Sequence, residues 1–225
     1  MRPEFENSTQ FINDIWKYYQ MLENDLLSLE KYVALEKDNY STYSNEFVKL
    51  YQSICAEIDV VAKILCRLLG KENVDRLDKY KLVICERLPL FTYTKLNLRS
   101  DKLEELQPWI EWSNDKCPIW WTLYNKVKHE RMTICTDIEK YEHKYYYQAA
   151  NLENILNSMA ALLVLEFYCI LLLCKIEDNY FNLKYCLNSK MFAIQDWSNY
   201  YYHFLGQEQI NDEKIRTIIS KYVRD

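Results

Sequence analysis

Apolar residues fall on helical stripes from near the start of the chain. Phe11, Ile15, Tyr19, Leu22, Leu26, Leu29 and Val33 stand three or four residues apart, one face of a helix over about 9–37. Ser8 or Thr9 is placed to cap its start, and the polar run Asp38-Asn39-Tyr40-Ser41-Thr42 ends it. A second stripe, Phe47, Leu50, Ile54, Ile58, Val61, Leu65 and Leu68, predicts a helix over about 45–69. Gly70 sits where a left-handed residue terminates a helix, with Lys63, Arg67 and Lys71 near the negative end of the dipole. Two such helices joined by a short linker should pack as an antiparallel hairpin.

The pattern from 71 to 118 is weaker. It suggests a short helix before Pro89 and then an excursion across one end of a bundle, closing in a knot of Trp109, Trp112, Trp120 and Trp121. Leu90-Phe91-Thr92-Tyr93-Thr94 has strand-like content, but no second run of that quality offers it a mate. Pro118 opens a third helix over about 119–132. The longest apolar stretch, Met159 to Ile176, lies on a helix over about 146–176 and carries only Glu166 and Lys175 as charges. A membrane span needs about 20 apolar residues. This run is shorter and has a carboxylate near its middle, so it reads as a core helix buried on nearly all sides, with no membrane expected. An amphipathic helix through Ile215, Ile218, Ile219 and Tyr222 closes the chain. No repeat or linker divides the sequence. The expectation is one all-α domain over 1–225: a bundle of four or more long helices around a central buried one, its core at about 8–176, with an aromatic-rich helical extension at 177–225.

Composition sharpens this. Only 2 glycines and 4 prolines occur among 225 residues. Phosphate-cradling loops and dinucleotide-binding turns need several closely spaced glycines, so both are excluded. The net charge of −5 argues against a generally basic nucleic-acid coat and leaves room for a local basic patch. The 8 cysteines include no C-x-x-C pair, and no signal-peptide pattern precedes them. They read as reduced thiols of a cytoplasmic protein, and neither a metal nor a cofactor is expected.

One stretch carries candidate chemistry. His143 and His203 lie in tyrosine-rich contexts, but His129 follows Asn125 by one helical turn, so the two share a face. Lys116, Lys126, Lys128 and Arg131 against Glu130 give this stretch a local charge of +3 in an acidic chain. That reversal is an anion-facing pattern. A bland reading stands beside it, in which His129 is an ordinary packed or capping residue and the lysines are a solvated face.

A helical bundle with Asn-x-x-x-His on its third helix resembles the HEPN superfamily, helical proteins that cleave or bind RNA in bacterial defence and toxin systems. The family motif places an arginine four to six residues before a histidine, commonly as Arg-Asn-x-x-x-His. Asn125 and His129 match its last two polar positions. Tyr124 stands where the arginine belongs, and the nearest guanidinium is Arg131, two residues after the histidine. The resemblance implies a metal-independent ribonuclease working as a homodimer, with His129 and Asn125 catalytic and Arg131 or Lys128 standing in for the missing arginine, while the local charge marks Lys116, Lys126 and Lys128 as RNA- or anion-binding. In that chemistry histidine moves a proton, asparagine orients a phosphate oxygen and arginine steadies the charged phosphorane. The alternative is a catalytically inactive helical module that binds a protein partner in a defence or regulatory complex. Glu57, on an otherwise apolar turn, should pair with His129, Lys128 or Arg131 if the bundle packs as in that family, or else point to solvent. His129, Asn125 and Arg131 should line one polar cleft, at a two-fold axis if a second copy completes it.

Overall fold

Along the helix Leu152–Glu177, every residue from Ser158 to Cys174 is buried. The computed structural model, which describes residues 7–99, 104–184, 188–195 and 212–223, is mostly helical and is built around this segment. In chain order, α1 (Ser8–Phe11) passes through a π-helical turn, Ile12–Trp16, into α2 (Lys17–Leu29). Then come α3 (Asn45–Leu68), α4 (Leu77–Arg87), the short strand β1 (Leu96–Leu98) and α5 (Ile119–Glu130). The central helix is α6 (Leu152–Glu177), followed by β2 (Phe192–Ile194) and α7 (Asp212–Tyr222). α6 touches α1, α2, α3, α5 and α7, and its closest packing is against α3. It is the one described helix apolar and long enough to cross a membrane, and 89% of its most apolar window lies inside the protein.

Each covering element is fixed by its own residues. Asn7 caps α1 by accepting from the Gln10 N–H (2.9 Å), so the expected capping by Ser8 or Thr9 is not used. Ser8 instead donates through its backbone N–H and its hydroxyl to Glu177, which ties the first turn to the end of α6. The π turn shifts the helical phase so that Trp16 and Tyr19 stack inward, with ring centroids 4.8 Å apart. α3 buries Phe47, Leu50, Ile54, Ile58, Val61 and Leu65, the stripe read from the sequence. It ends at Gly70, whose φ of +79° a side chain would strain. The tryptophan knot is present: Trp109 and Trp112 lie 4.3 Å apart and Trp109 and Trp120 5.2 Å apart. The Trp109 indole N–H donates to the Ala161 carbonyl on α6 (3.1 Å), so the excursion is latched to the central helix.

Three expectations shift. The first helix stops at Leu29, and Val33 and Leu35 pack from the turn that follows it. Periodicity ran on because that turn also buries apolar residues. α6 starts at Leu152 because Asn151 caps it by accepting from the Asn154 N–H (3.1 Å), and Tyr146–Ala149 forms a separate 3-10 turn. Residues after 177 are not only helical. β2 pairs antiparallel with β1, Leu96 opposite Ile194 and Leu98 opposite Phe192, while Phe91–Tyr93 is a 3-10 turn. A buried carboxylate on α2 holds the β2 segment: Glu23 accepts from the Ser189 hydroxyl and from the N–H groups of Lys190 (2.9 Å) and Met191 (3.2 Å). The segments 185–187 and 196–211 lie outside the described residues, as do His203 and the side chains of Ile215 and Ile218. Tyr222 on α7 packs edge-on against Phe167 of α6 at 5.4 Å.

Glu166 is the exception within the core. It is fully buried on α6, and neither carboxyl oxygen has a hydrogen-bond partner among the described residues. Burial holds its proton on well above the usual carboxylate range, and the charge of Glu57 pushes the same way. An unfolded glutamate ionises near pH 4.3. The contribution of this neutral carboxyl to stability is therefore complete at or below that pH and is lost as pH rises toward the folded-state value, by up to about 1.4 kcal/mol per pH unit. Urea unfolding of wild type and Glu166→Gln from pH 5 to 9 should show the variant gaining on wild type as pH rises. Parallel curves would contradict a protonated Glu166.

Candidate functional site

The inner face of α5 determines what its outer face presents. Trp120, Leu123, Tyr124 and Val127 are buried, and the Tyr51 hydroxyl of α3 donates to the Trp120 carbonyl. Tyr124 meets Tyr51 edge-on at 5.9 Å. Asn125 is left half-buried, and Lys128, His129 and Arg131 are exposed at the C-terminal end of the helix. The Asn125 amide donates back to the Trp121 carbonyl (3.2 Å). Lys128 lies over the Tyr124 ring at 5.8 Å. Among the described residues, the side chains of His129 and Arg131 have no hydrogen bond or ion pair.

The other candidates separate from this end. Lys126 is neutralised by Glu130 (3.2 Å) and Asp137 (3.7 Å) and covers the Tyr146 ring at 5.1 Å, so it holds structure rather than facing an anion. Lys116 precedes α5, roughly 20 Å along the helix axis from Arg131 at 1.5 Å per residue. Glu57 has no ion pair or side-chain hydrogen bond among the described residues. Burial alone raises its carboxyl, and the charge it influences is Glu166 on α6. The expected pairing with α5 is therefore absent. The physical reason is angular: Tyr51 and Cys55 are the α3 residues that face Tyr124, and Glu57 lies about 200° around the helix from Cys55.

Arg131 and His129 also diverge, because residues two apart on a helix do not share a face. Arg131 opens into a groove of about 800 Å³ whose lining includes neither His129 nor Asn125. The single cleft expected for all three residues does not form within one chain. The groove lies between the start of α3 and the segment that follows α5. From α3 come Ser44, which caps the helix by accepting from the Phe47 N–H (3.0 Å), and then Asn45, Val48, Lys49 and Gln52. Lys49 pairs with Glu46 at 2.8 Å.

Two backbone ladders build the rest of it. After α5 the chain reverses and pairs with itself: Tyr147 N–H donates to the Arg131 carbonyl (3.0 Å), Tyr146 N–H to Thr133 (3.0 Å), and Cys135 N–H to Lys144 (2.8 Å). The bridged stretch ends at Tyr145, opposite Ile134, and Tyr146 and Tyr147 open the 3-10 turn Tyr146–Ala149. Tyr146 is buried and donates to Asp137 (2.5 Å), a bond that holds that carboxyl below its usual range. Tyr145 is 42% exposed, and Tyr147 lines the groove beside Arg131. On the other wall, Tyr43 pairs with Asn151, and the Leu152 N–H donates to the Thr42 carbonyl (3.0 Å). Tyr43 thus meets Tyr147 edge-on at 5.6 Å, and Tyr145 lies nearly parallel to Tyr147 at 6.0 Å.

These tyrosines escape a helical reading of the sequence. No periodicity marks them, because three consecutive tyrosines carry no alternation and the run opens the 3-10 turn Tyr146–Ala149. The base of the ladder is anchored by one hydroxyl: Tyr141 accepts from the side-chain amides of Asn151 (2.9 Å) and Asn154 (2.8 Å), all three buried. Tyr141→Phe should cost about 1–3 kcal/mol in denaturant unfolding, since two buried amides lose an acceptor. A loss below a few tenths would contradict that anchoring.

No protein-family model, curated protein or solved structure matches the chain, so the chemistry of the site rests on its own residues.

Proposed function

We propose that this is a HEPN-like protein of a bacterial defence or toxin-type system that binds RNA at the C-terminal end of α5. Arg131 is the observation that carries this reading. It is an exposed guanidinium with no counter-ion among the described residues, set over a groove rimmed by tyrosines. Lys128 and His129 extend the cationic end of the helix. A phosphate backbone suits such a surface, because Arg donates in a bidentate fork and neutralisation releases counterions.

Binding is better supported than cleavage. General acid–base work needs groups converging on one reacting phosphate. Within one chain His129 and Arg131 diverge, and one of the two amide N–H groups of Asn125 is spent on its own helix. A composite ribonuclease centre would require a second copy to supply the missing half.

Fluorescence anisotropy with a labelled single-stranded RNA of about a dozen nucleotides tests the reading. With two or three cations engaged, log affinity should fall with log salt at a slope of about −1.4 to −2.1. Arg131→Glu with Lys128→Glu should weaken binding at least tenfold and flatten that slope, while Lys116→Glu, at the far end of α5, should leave both unchanged. Charge reversal without effect would refute RNA binding at this end. Metal-free cutting of the RNA that disappears in His129→Ala would replace binding with catalysis.

A further inference from the structure

We propose that a cleft at the C-terminal end of α2 binds a free apolar amino acid. Glu30 takes its ammonium, Arg99 takes its carboxylate, and an apolar floor receives its side chain. The cleft shares no residue with the groove beside Arg131, so the proposal goes beyond the RNA-binding reading and stands without it.

The cleft holds about 200 Å³ and is walled by α2, the turn after it and the β1–β2 pair. Its floor is apolar: Leu27 comes from α2, Leu35 from the turn, Leu98 from β1 and Met191 from just before β2. Leu35 and Met191 are buried, and Leu27 and Leu98 are half-buried. Backbone hydrogen bonds hold these walls together. The Arg99 N–H donates to the Met191 carbonyl (2.8 Å), and Glu23, one turn before Leu27, accepts from the N–H groups of Lys190 and Met191. The strand pair is thereby fixed to α2, and little freedom is lost when a ligand enters.

Charges of both signs line the same cleft without neutralising one another. Lys190 donates to the Asn24 side-chain oxygen (2.7 Å). Glu30 and Arg99 are exposed, and neither side chain has an ion pair or hydrogen bond among the described residues. Glu30 also occupies the C-cap of α2, the negative end of the helix dipole, where a carboxylate is unfavourable and a cation is attracted. The adjacent Lys31 is turned over the Tyr32 ring at 4.9 Å. A ligand that answers all of this carries an ammonium, a carboxylate and an apolar group on one small frame, which describes an amino acid. The guanidinium fork suits the carboxylate. A peptide terminus offers only one of the two charges, because the other is consumed in the peptide bond. Clefts for drug-sized ligands run to roughly 300–1,000 Å³. At about 200 Å³ this one suits a single leucine or methionine better than a nucleotide.

Isothermal titration calorimetry and thermal-shift measurements on the intact chain test this with four probes. L-leucine should bind at least tenfold more tightly than N-acetyl-L-leucine, which lacks the ammonium, or L-leucinamide, which lacks the carboxylate. Glycine, which lacks the apolar group, should fall behind by the same margin. Arg99→Gln should weaken leucine at least tenfold and erase its margin over leucinamide. Glu30→Gln should erase its margin over N-acetyl-leucine. Both side chains are exposed, so both variants should fold, and circular dichroism checks that they do. Leucine binding that survives both substitutions would place the amino acid elsewhere and overturn the proposal. N-acetyl-leucine binding as tightly as leucine would make the cleft a carboxylate site and refute the zwitterion. Neither heat nor a shift in Tm with any probe at millimolar concentration would refute it outright.

Discussion

A helix that is apolar around its whole circumference must be covered on every side, and α6 imposes that requirement on the rest of the chain. Fully burying each Leu, Ile or Phe of such a helix is worth roughly 1.5–3 kcal/mol. Leu162, Leu163, Leu165, Phe167, Ile170 and Leu171 are all buried on α6, so the drive to surround it is large. α3 supplies the broadest cover, and α1, α2, α5 and α7 take the remaining faces. The polar groups of the core are the devices that hold this cover in place. Ser8 on Glu177, Trp109 on Ala161 and Asn151 with Asn154 on Tyr141 each join a distant segment to one level of α6. Glu166 joins nothing, and its neutral form is what the core can hold.

The candidate site is a by-product of that covering. α5 spends Trp120, Leu123, Tyr124 and Val127 on the core and must present its remaining face to water. The chain between α5 and α6 has to reverse direction, and it does so by pairing with itself near the start of α6. The 3-10 turn Tyr146–Ala149 that follows places Tyr146 inward, and Tyr147 reaches the groove. The loop before α3 meets the same end of α6 and brings Tyr43 to the opposite wall. Neither wall would form without the N-terminal end of α6 to build on. Anchoring and exposure of the site therefore have one origin.

Much of this order is legible in the sequence where one face, or every face, of a helix is apolar. The α3 stripe, its Gly70 stop, the Pro118 start of α5, the tryptophan knot and the buried run of α6 all follow from spacing. What spacing hides is sheet-like local structure inside a helical chain. β1 and β2 are 3 residues each, too short for alternation to register, and their register depends on Glu23 gripping Lys190 and Met191 from another element. The candidate site was legible in part. Asn125, Lys128, His129 and Arg131 are on α5 or at its end as read, but rotation about the helix sends His129 and Arg131 to different sides. Glu57 shows the same limit: periodicity finds its place on α3 but not which neighbouring helix it faces. Lys126 has a partner that spacing shows, Glu130 one turn on, and a second that it hides, Asp137 from beyond the turn.

The central claim is that RNA lies in the groove between the start of α3 and the 131–147 ladder. The most direct measurement is photo-crosslinking of a 4-thiouridine-substituted single-stranded RNA, with the adducts mapped by mass spectrometry. Exposed tyrosines occur elsewhere as well, notably Tyr32 at 75% and Tyr93 at 57%, so ring exposure alone would label those first. The account predicts adducts concentrated on the groove residues Tyr43, Met132 and Tyr147 and suppressed by Arg131→Glu. Adducts led by Tyr32 or Tyr93 and indifferent to that substitution would contradict it.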